Sequence, residues 1–337
     1  MLARQGFVME FKKTVRNGVE YRFDPLTGHQ SRINPQRAGR LRNAGDRGGL
    51  AAVVADSART CPFCHERVEE KTPCFTGEGW REGRIGRGET LLFPNANPFG
   101  ENHAVGIISR AHFLKLDEFS REMLQDNLVA SRDYALAVHR GKREAVWPIY
   151  LWNYMPPSAG SIVHPHSQTL VESEPLPGQA ELMRKSREYF DRNGTVYWQD
   201  LAEREEKTGE RFIYRGDCLS LVTSFAPRGF NEIQFIFGGL SSFAEAGERE
   251  IAEFVDCLIG ALRGYREIGI GSFNLITCSG PIDERAGYYR LHAKLISRPY
   301  PGGVYTGDTG PFERLCDAWV IDTLPELVAA KLKPIFR

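Results

Sequence analysis

The same order of elements is written twice along this chain, and the repetition narrows the folds open to it. Residues 89–172 and 219–299 each read as strands, one long helix, then strands again. In the first segment, 89–94 and 104–109 have the apolar content of strands. Phe119, Met123, Leu124, Leu128 and Ala135 then recur at helical spacing across 117–140. Strands follow at 145–153 and 167–172. The second segment predicts strands at 219–223 and 232–237, then a helix over 244–267 with Ile251, Phe254, Val255, Leu258, Ile259 and Leu262 on one face. Gly269 is placed to stop that helix. Strands at 273–277 and 291–297 complete it. Each copy is a unit of about 80 to 130 residues, too long for a solenoid repeat. The expected class is α+β: two tandem units, each an antiparallel sheet with a long helix on one face. Residues 180–210 are charged, helical in pattern, and join the copies. Residues 1–50 read as strands at 8–11 and 21–23 followed by an irregular arm. The predicted boundaries are 1–50, 51–178 and 179–337.

Composition excludes some partners. Lysine plus arginine and aspartate plus glutamate both total 43, so the formal charge is zero and nothing global favours nucleic acid or an anionic membrane. Arg32, Arg37, Arg40, Arg42 and Arg47 form a local exception, readable as a solvated loop or as phosphate contacts. No apolar run is long enough for a transmembrane helix, and the first residues lack a signal-peptide core. A cytoplasmic protein is expected. The cysteine count of seven is odd, and most are scattered, as reduced thiols are.

Laying the copies end to end sets His164-x-His166-x-Gln168 against Arg290-x-His292-x-Lys294. In a strand, 164, 166 and 168 share a face. Imidazole is a good nucleophile at neutral pH and a good leaving group from phosphorus. Gln168 cannot shuttle a proton, but it can donate a hydrogen bond to a phosphoryl oxygen. That combination favours group transfer over release to water. The preceding loop, Ser158-Ala159-Gly160-Ser161, is small enough to offer backbone N–H groups to a phosphate. Cys61-Pro62-Phe63-Cys64 has zinc-knuckle spacing, with His65, His103, His112 and His164 as candidate completing ligands. A redox role is disfavoured by the lack of a βαβ context. Cys61, Cys64, His112 and His164 would form a closed structural site and leave His166 for chemistry.

These residues, taken in order, resemble the galactose-1-phosphate uridylyltransferase branch of the histidine-triad superfamily. The resemblance runs through Asp24-Pro25-Leu26-Thr27-Gly28, Asn34-Pro35-Gln36-Arg37-Ala38-Gly39-Arg40, the Cys61–Cys64 run, Phe93-Pro94-Asn95, Ser109-Arg110-Ala111-His112, Asn153, Ser161 and the 164–168 run. It implies two histidine-triad-like domains, a homodimer, and ping-pong transfer of a nucleoside monophosphate, as in galactose metabolism. His166 resembles the residue that becomes nucleotidylated. Gln168, Ser161 and Asn153 resemble phosphate-site residues. Arg37 and Arg40 resemble a donor-phosphate pair, supplied across the dimer. Asn95 resembles a ribose contact, and Cys61, Cys64, His112 and His164 resemble a zinc set. There are departures. Arg290-Leu291-His292-Ala293-Lys294 stands where the bacterial enzymes bind iron, so no iron is expected in the second copy. Ala96 replaces a ribose-binding acid, and the hexose-gripping segment around 302–319 is altered. The expected activity is therefore nucleotidyl transfer from a UDP- or ADP-linked donor to a phosphate-bearing acceptor. Inorganic phosphate is the alternative acceptor, as in ADP-glucose phosphorylase or adenylylsulfate:phosphate adenylyltransferase, and Arg290 and Lys294 would suit it. A nucleotide-adduct hydrolase is disfavoured by Gln168, and a catalytically dead binding module by the intact His166.

Overall fold

The computed structural model describes residues 9–38, 49–76, 83–302 and 307–336. The chain opens with strands β1 (Lys13–Arg16), β2 (Val19–Phe23) and β3 (Gln30–Ile33), then helices α1 (Leu50–Thr60) and α2 (His65–Lys71). The first repeat follows as β4 (Ile85–Arg87), β5 (Thr90–Pro94), β6 (Asn102–Ile107), α3 (Arg121–Gly141), β7 (Trp147–Tyr154) and β8 (His166–Glu172). Helices α4 (Pro177–Asn193) and α5 (Tyr197–Thr208) link it to the second: β9 (Phe212–Arg215), β10 (Leu219–Thr223), β11 (Phe230–Phe237), α6 (Glu248–Glu267), β12 (Phe273–Cys278) and β13 (His292–Ser297). The chain closes with α7 (Pro311–Cys316), β14 (Ala318–Ile321) and α8 (Pro325–Leu332).

The two repeats share one ten-stranded sheet, ordered β4-β5-β6-β8-β7-β12-β13-β11-β10-β9. Every neighbouring pair is antiparallel. Counted outward from the β7–β12 seam, the halves run β7-β8-β6-β5-β4 and β12-β13-β11-β10-β9, so the duplication is exact in strand order. Helices α3 and α6 lie on one face of this sheet. Their Leu124, Leu128, Phe254 and Leu258 pack on Tyr150, Trp152, Leu275 and Phe235. The Ser120 side chain caps α3 by accepting from the Met123 N–H, which starts the helix later than periodicity alone suggests. The Glu250 carboxylate accepts from the Gly247 N–H and does the same for α6.

The opposite face is covered differently in each half: by the Cys61–Cys64 corner and α2 in the first, by α4 and α5 in the second, while Leu50, Val53 and Val54 of α1 pack on the core shared with α3 and α6. The stretch 180–210 is thus two helices, broken at Gly194, whose φ of 72° is the left-handed conformation glycine favours. The expected strand at 8–11 is also corrected, because residues 9–11 carry none and the first strand begins at Lys13. Residues expected to be irregular supply β3, which pairs in parallel with β14 from the far end of the chain. Among the described residues, no helix is long and apolar enough to cross a membrane.

Buried Arg22 ties this small sheet to α8. It donates to both oxygens of Glu326 at 2.8 and 3.0 Å, and Arg211 donates to the same carboxylate at 2.8 Å. Burial pushes Glu326 up, but the two guanidinium groups outweigh it and hold it down at about 2. Glu326→Gln removes the carboxylate that joins the two arginines, which keep Glu20 and Glu205 as partners. Because the Glu326 side chain is 28 % exposed, we discount the usual buried-pair loss and expect about 2 kcal/mol. A depressed carboxylate stabilises above its unfolded pKa and ceases to do so as pH falls toward the folded value. The melting-temperature gap between wild type and E326Q should therefore be full at neutral pH and shrink between about pH 4.5 and 2. A gap independent of pH would refute the assignment.

Candidate active site and metal centre

Cys61 ends α1 and Cys64 begins α2, so the knuckle presents both thiols at a helix–helix corner. His112 follows β6, and His164 immediately precedes β8. Their ligand atoms all lie within 4.8 Å of one another. Cys64 Sγ is 3.4 Å from His112 Nδ1, and His164 Nδ1 is 3.8 Å from each sulfur. A tetrahedral metal with bonds of about 2.3 Å to sulfur and 2.0 Å to nitrogen has ligand–ligand edges of about 3.3 to 3.8 Å, and these three separations match them.

The tautomers agree with this. His164 Nε2 sits 2.7 Å from the Ser109 carbonyl, which can only accept, so Nδ1 carries the lone pair. His112 Nε2 is 2.8 Å from Ser57 Oγ, whose own proton goes to the Val54 carbonyl at 2.9 Å. That leaves His112 Nδ1 as an acceptor too. Such outer contacts are how metal-bound imidazoles are oriented. Burial pushes the Cys61 thiol up to about 11 and His164 down to about 4. The imidazole is thus a neutral ligand, and the thiol ionises when a cation replaces its proton. His65 is exposed and His103 lies elsewhere, so neither joins the group.

The strand begins at His166, and this corrects the expectation that 164, 166 and 168 share its face. His164 lies before the strand, turns its ring to the cysteines, and offers its carbonyl to His166 Nδ1 at 2.7 Å. That carbonyl accepts, so Nδ1 of His166 is protonated and Nε2 holds the lone pair. Burial lowers the His166 pKa, partly offset by the bond to His164. Phe63, between the two cysteines, sets its ring edge-on to His166 with centroids 5.2 Å apart. One peptide segment therefore links the metal group to the imidazole. Behind the strand, Asn127 of α3 accepts from Ser167 Oγ at 2.7 Å and from the Tyr150 hydroxyl at 3.0 Å. This buried cluster fixes β8 from the other side.

Gln168 is held by a residue sequence reasoning weighed only as a metal ligand. His103 Nε2 is 2.7 Å from Gln168 Oε1, while the Phe99 N–H points at His103 Nδ1 at 3.4 Å. With the His103 proton on Nε2, the Gln168 oxygen is used and its NH2 group remains to donate. Asn95 joins the same cluster, its Nδ2 3.5 Å from His103 Nδ1, the nitrogen that can accept. Asn153, on the strand beside β8, accepts from Asn274 Nδ2 at 2.6 Å, and Asn274 also donates to the Ser158 carbonyl at 2.8 Å. The loop folds tightly there: a Cβ on Gly160 would stand 2.8 Å from the Asn153 carbonyl oxygen. Ser161 is exposed on that loop.

Arg37 is not brought into this group. It is exposed in a turn after β3, and Ser31 on β3 bonds to Pro227 of the second half at 2.6 Å. Arg40, Arg42, Arg47 and residues 303–306 of the altered C-terminal segment lie outside the described residues. The second half's counterpart of His166 is silenced. His292 Nδ1 meets the Arg290 carbonyl at 3.1 Å, matching the His164–His166 bond, but Trp198 of α5 stacks on the ring at 3.7 Å. The reading of Arg290 as an anion contact is corrected. Arg290 is spent on the carbonyls of Gly238, Gly287 and Tyr289, and Lys294 is 3.1 Å from Glu232.

No family model matches the chain. It is 29 % identical, over an alignment of 353 residues spanning 97 % of this chain and 99 % of the other, to an uncharacterized protein of Archaeoglobus fulgidus. Among solved structures, an ADP-glucose phosphorylase of Arabidopsis thaliana with bound ADP-glucose superposes with a TM-score of 0.73 at 17 % identity, covering 94 % of this chain and 98 % of that one. A GalT-like protein of the same plant gives 0.71 at 17 % identity, covering 93 % and 98 %. A uridylyltransferase gives 0.68 at 19 % identity, covering 94 % and 98 %. The strand order, the paired halves and these superpositions together show that the chain has the two-unit fold of the ADP-glucose phosphorylase, the GalT-like protein and the uridylyltransferase.

Proposed function

We propose that the protein is a nucleotidyltransferase that moves a nucleoside monophosphate from a UDP- or ADP-linked donor to a phosphate-bearing acceptor through a nucleotidyl-His166 intermediate. The observation that carries the reading is the fixed tautomer of His166, which leaves Nε2 as a free nucleophile. Nε2 attacks the donor's α-phosphorus, the N–P bond forms, and the bond to the bridging oxygen breaks. The leaving group departs as a phosphate, already a stable anion, so the site needs no general acid. This accounts for glutamine at 168. The Gln168 NH2 donates to a non-bridging oxygen, and the His164 carbonyl supports the charge on the ring through Nδ1–H. An acceptor phosphate oxygen then attacks, the N–P bond breaks, and the lone pair returns to Nε2.

In this reading residues 51–178 hold the chemistry, and 179–337 serve the acceptor and the dimer. Arg37 and Arg40 reach a donor from the arm of a second copy, which suits the anchoring of β3 on the half away from His166. Asn95, Asn153 and Ser161 line the donor's ribose and phosphate. The metal is zinc, held by Cys61, Cys64, His112 and His164. Bound there it supplies a rigid corner and no open coordination position.

Intact-mass spectrometry after mixing with UDP- and ADP-sugars tests the proposal. The added mass names the nucleotide, and no adduct with any donor would refute it. Gln168→Leu should slow adduct formation by roughly 10²-fold, the usual cost of one donor to a developing oxyanion. An unchanged single-turnover rate would remove Gln168 from its role. The likeness to a phosphorylase supports a second reading in which inorganic phosphate is the acceptor. Discharge of the adduct by phosphate but not by hexose 1-phosphates would select it.

A further inference from the structure

The second half has a cavity on the sheet face that bears His166 in the first. Its volume is about 250 Å3, and it lies between the sheet, helices α4 and α5, and the segment after β2. Gln168, Leu151, Ile276 and Lys294 follow one register line across β8, β7, β12 and β13, so Lys294 holds in the second half the place of Gln168 in the first. Three strand spacings put the two residues roughly 14 Å apart, which makes the cavity a separate site.

The walls are mostly apolar, with Leu182, Leu201, Ile149 and Phe225 among them, and the sheet floor contributes the polar Lys294 and Gln234. Lys294 and Gln234 are opposed cross-strand partners there, so their side chains stand about 5 Å apart at Cβ. Gln234 is buried, and its Nε2 donates to Ser224 Oγ at 2.5 Å, yet its Oε1 has no partner among the described residues. Gln179, also buried and also lining the cavity, donates to the Ser279 carbonyl and likewise leaves Oε1 unpartnered. Orphaned buried acceptors are rare in native proteins and point to a missing donor. The Lys294 ammonium has three N–H groups and one partner here, Glu232.

The buried charges are close to balanced. Lys294 and Arg228 stand against Glu232 and Asp24, half-exposed Glu181 adds one more carboxylate to the wall, and burial lowers the His29 pKa and keeps that ring neutral. A charged ligand would bring an uncompensated charge into an apolar site. Cavities of about 150 Å3 take benzene, and drug-sized pockets begin near 300 Å3, so this volume suits a bicyclic ring or one ring with a sugar.

We propose that this cavity binds an uncharged, flat heterocycle of nucleobase-to-nucleoside size that presents a hydrogen-bond donor beside an acceptor. Lys294 donates to the ligand's acceptor, and Gln234 Oε1 takes its donor. The mouth is at Leu176, 45 % exposed before α4. The proposal stands apart from the reading of His166 and does not depend on it.

Isothermal titration of the full chain with uridine and with adenosine tests it. At least one should bind at one site per chain. Methylating the donor, as in 3-methyluridine or N6,N6-dimethyladenosine, should weaken that binding at least about tenfold, the loss of one buried hydrogen bond. Gln234→Met should weaken it similarly, and Leu176→Trp should block it. Binding by neither nucleoside overturns the proposal. So does equal binding of the methylated analogue, or binding unchanged in both variants. If the variants do not fold, photo-cross-linking of 5-iodouridine or 8-azidoadenosine to the wild-type chain decides, with label on 176–201 supporting the cavity and label confined to 153–172 overturning it.

Discussion

His166→Gly should form no covalent adduct with any nucleotide donor, and its rate of transfer should fall by at least about 10⁴-fold. Loss of the nucleophile removes the only path through a covalent intermediate, and reported losses for nucleophile removal in hydrolytic triads reach 10⁶. The alternatives within the site are poor. His164 has its Nε2 on Ser109 and its Nδ1 toward the cysteines, and His103 is bonded to Gln168. The smaller side chain also opens a space the size of an imidazole. Added free imidazole pre-charged with the nucleotide should therefore restore transfer to the acceptor, a result no merely structural role of His166 produces. A wild-type rate in His166→Gly would end the covalent mechanism.

Stripping the metal or substituting a ligand should have the second largest effect. Metal analysis of protein purified without chelator should give about one zinc per chain. In zinc-finger peptides the metal supplies roughly 10 kcal/mol or more, because nothing else folds them. Here the ten-stranded sheet has its own core, with α3 and α6 packed on Trp152, Phe235 and Leu275. The loss should be local. In Cys61→Ser, hydrogen exchange across α1 and α2 should accelerate by about 10³-fold, some 4 kcal/mol of local stability, while α6 stays protected. Adduct formation should slow as well, because Phe63 and the His164 carbonyl both locate His166 from the metal corner. A zinc-free protein with full protection of α1 and α2 would refute the four-ligand centre and leave the His166 proposal standing.

What the sequence disclosed follows from how local each signal is. Strand β10 was legible to the residue, and β7, β8, β12 and β13 nearly so. Each is a run of five to eight residues in which at least every other position is buried. The cysteine pair and its two histidines were legible because donor chemistry is rare and spacing constrains it. Helices α1 and α2 were not. They bury few residues, with none in α1 classed as buried, so there was little apolar stripe to read. Strand β3 needed β14, nearly three hundred positions away, and no local pattern announces a parallel partner at that distance. His103 was misjudged for a related reason. Its role depends on β6 lying beside β8, which sets 103 diagonal to 168. Only the pairing register reveals that.

The β7–β12 seam limits how turnover can proceed. Asn153 and Asn274 face each other there, and the backbone ladder runs on without a break. Enzymes that work between hinged lobes pass substrates by opening a cleft. A spliced sheet forbids that, since parting the halves would sever a strand pair in the core. On the proposed function, donor and acceptor would enter and leave past the loops around His166. The first product should therefore depart from a preset, rigid pocket, and the pace of the cycle should follow how quickly small molecules exchange there, without a slow swing of one half on the other.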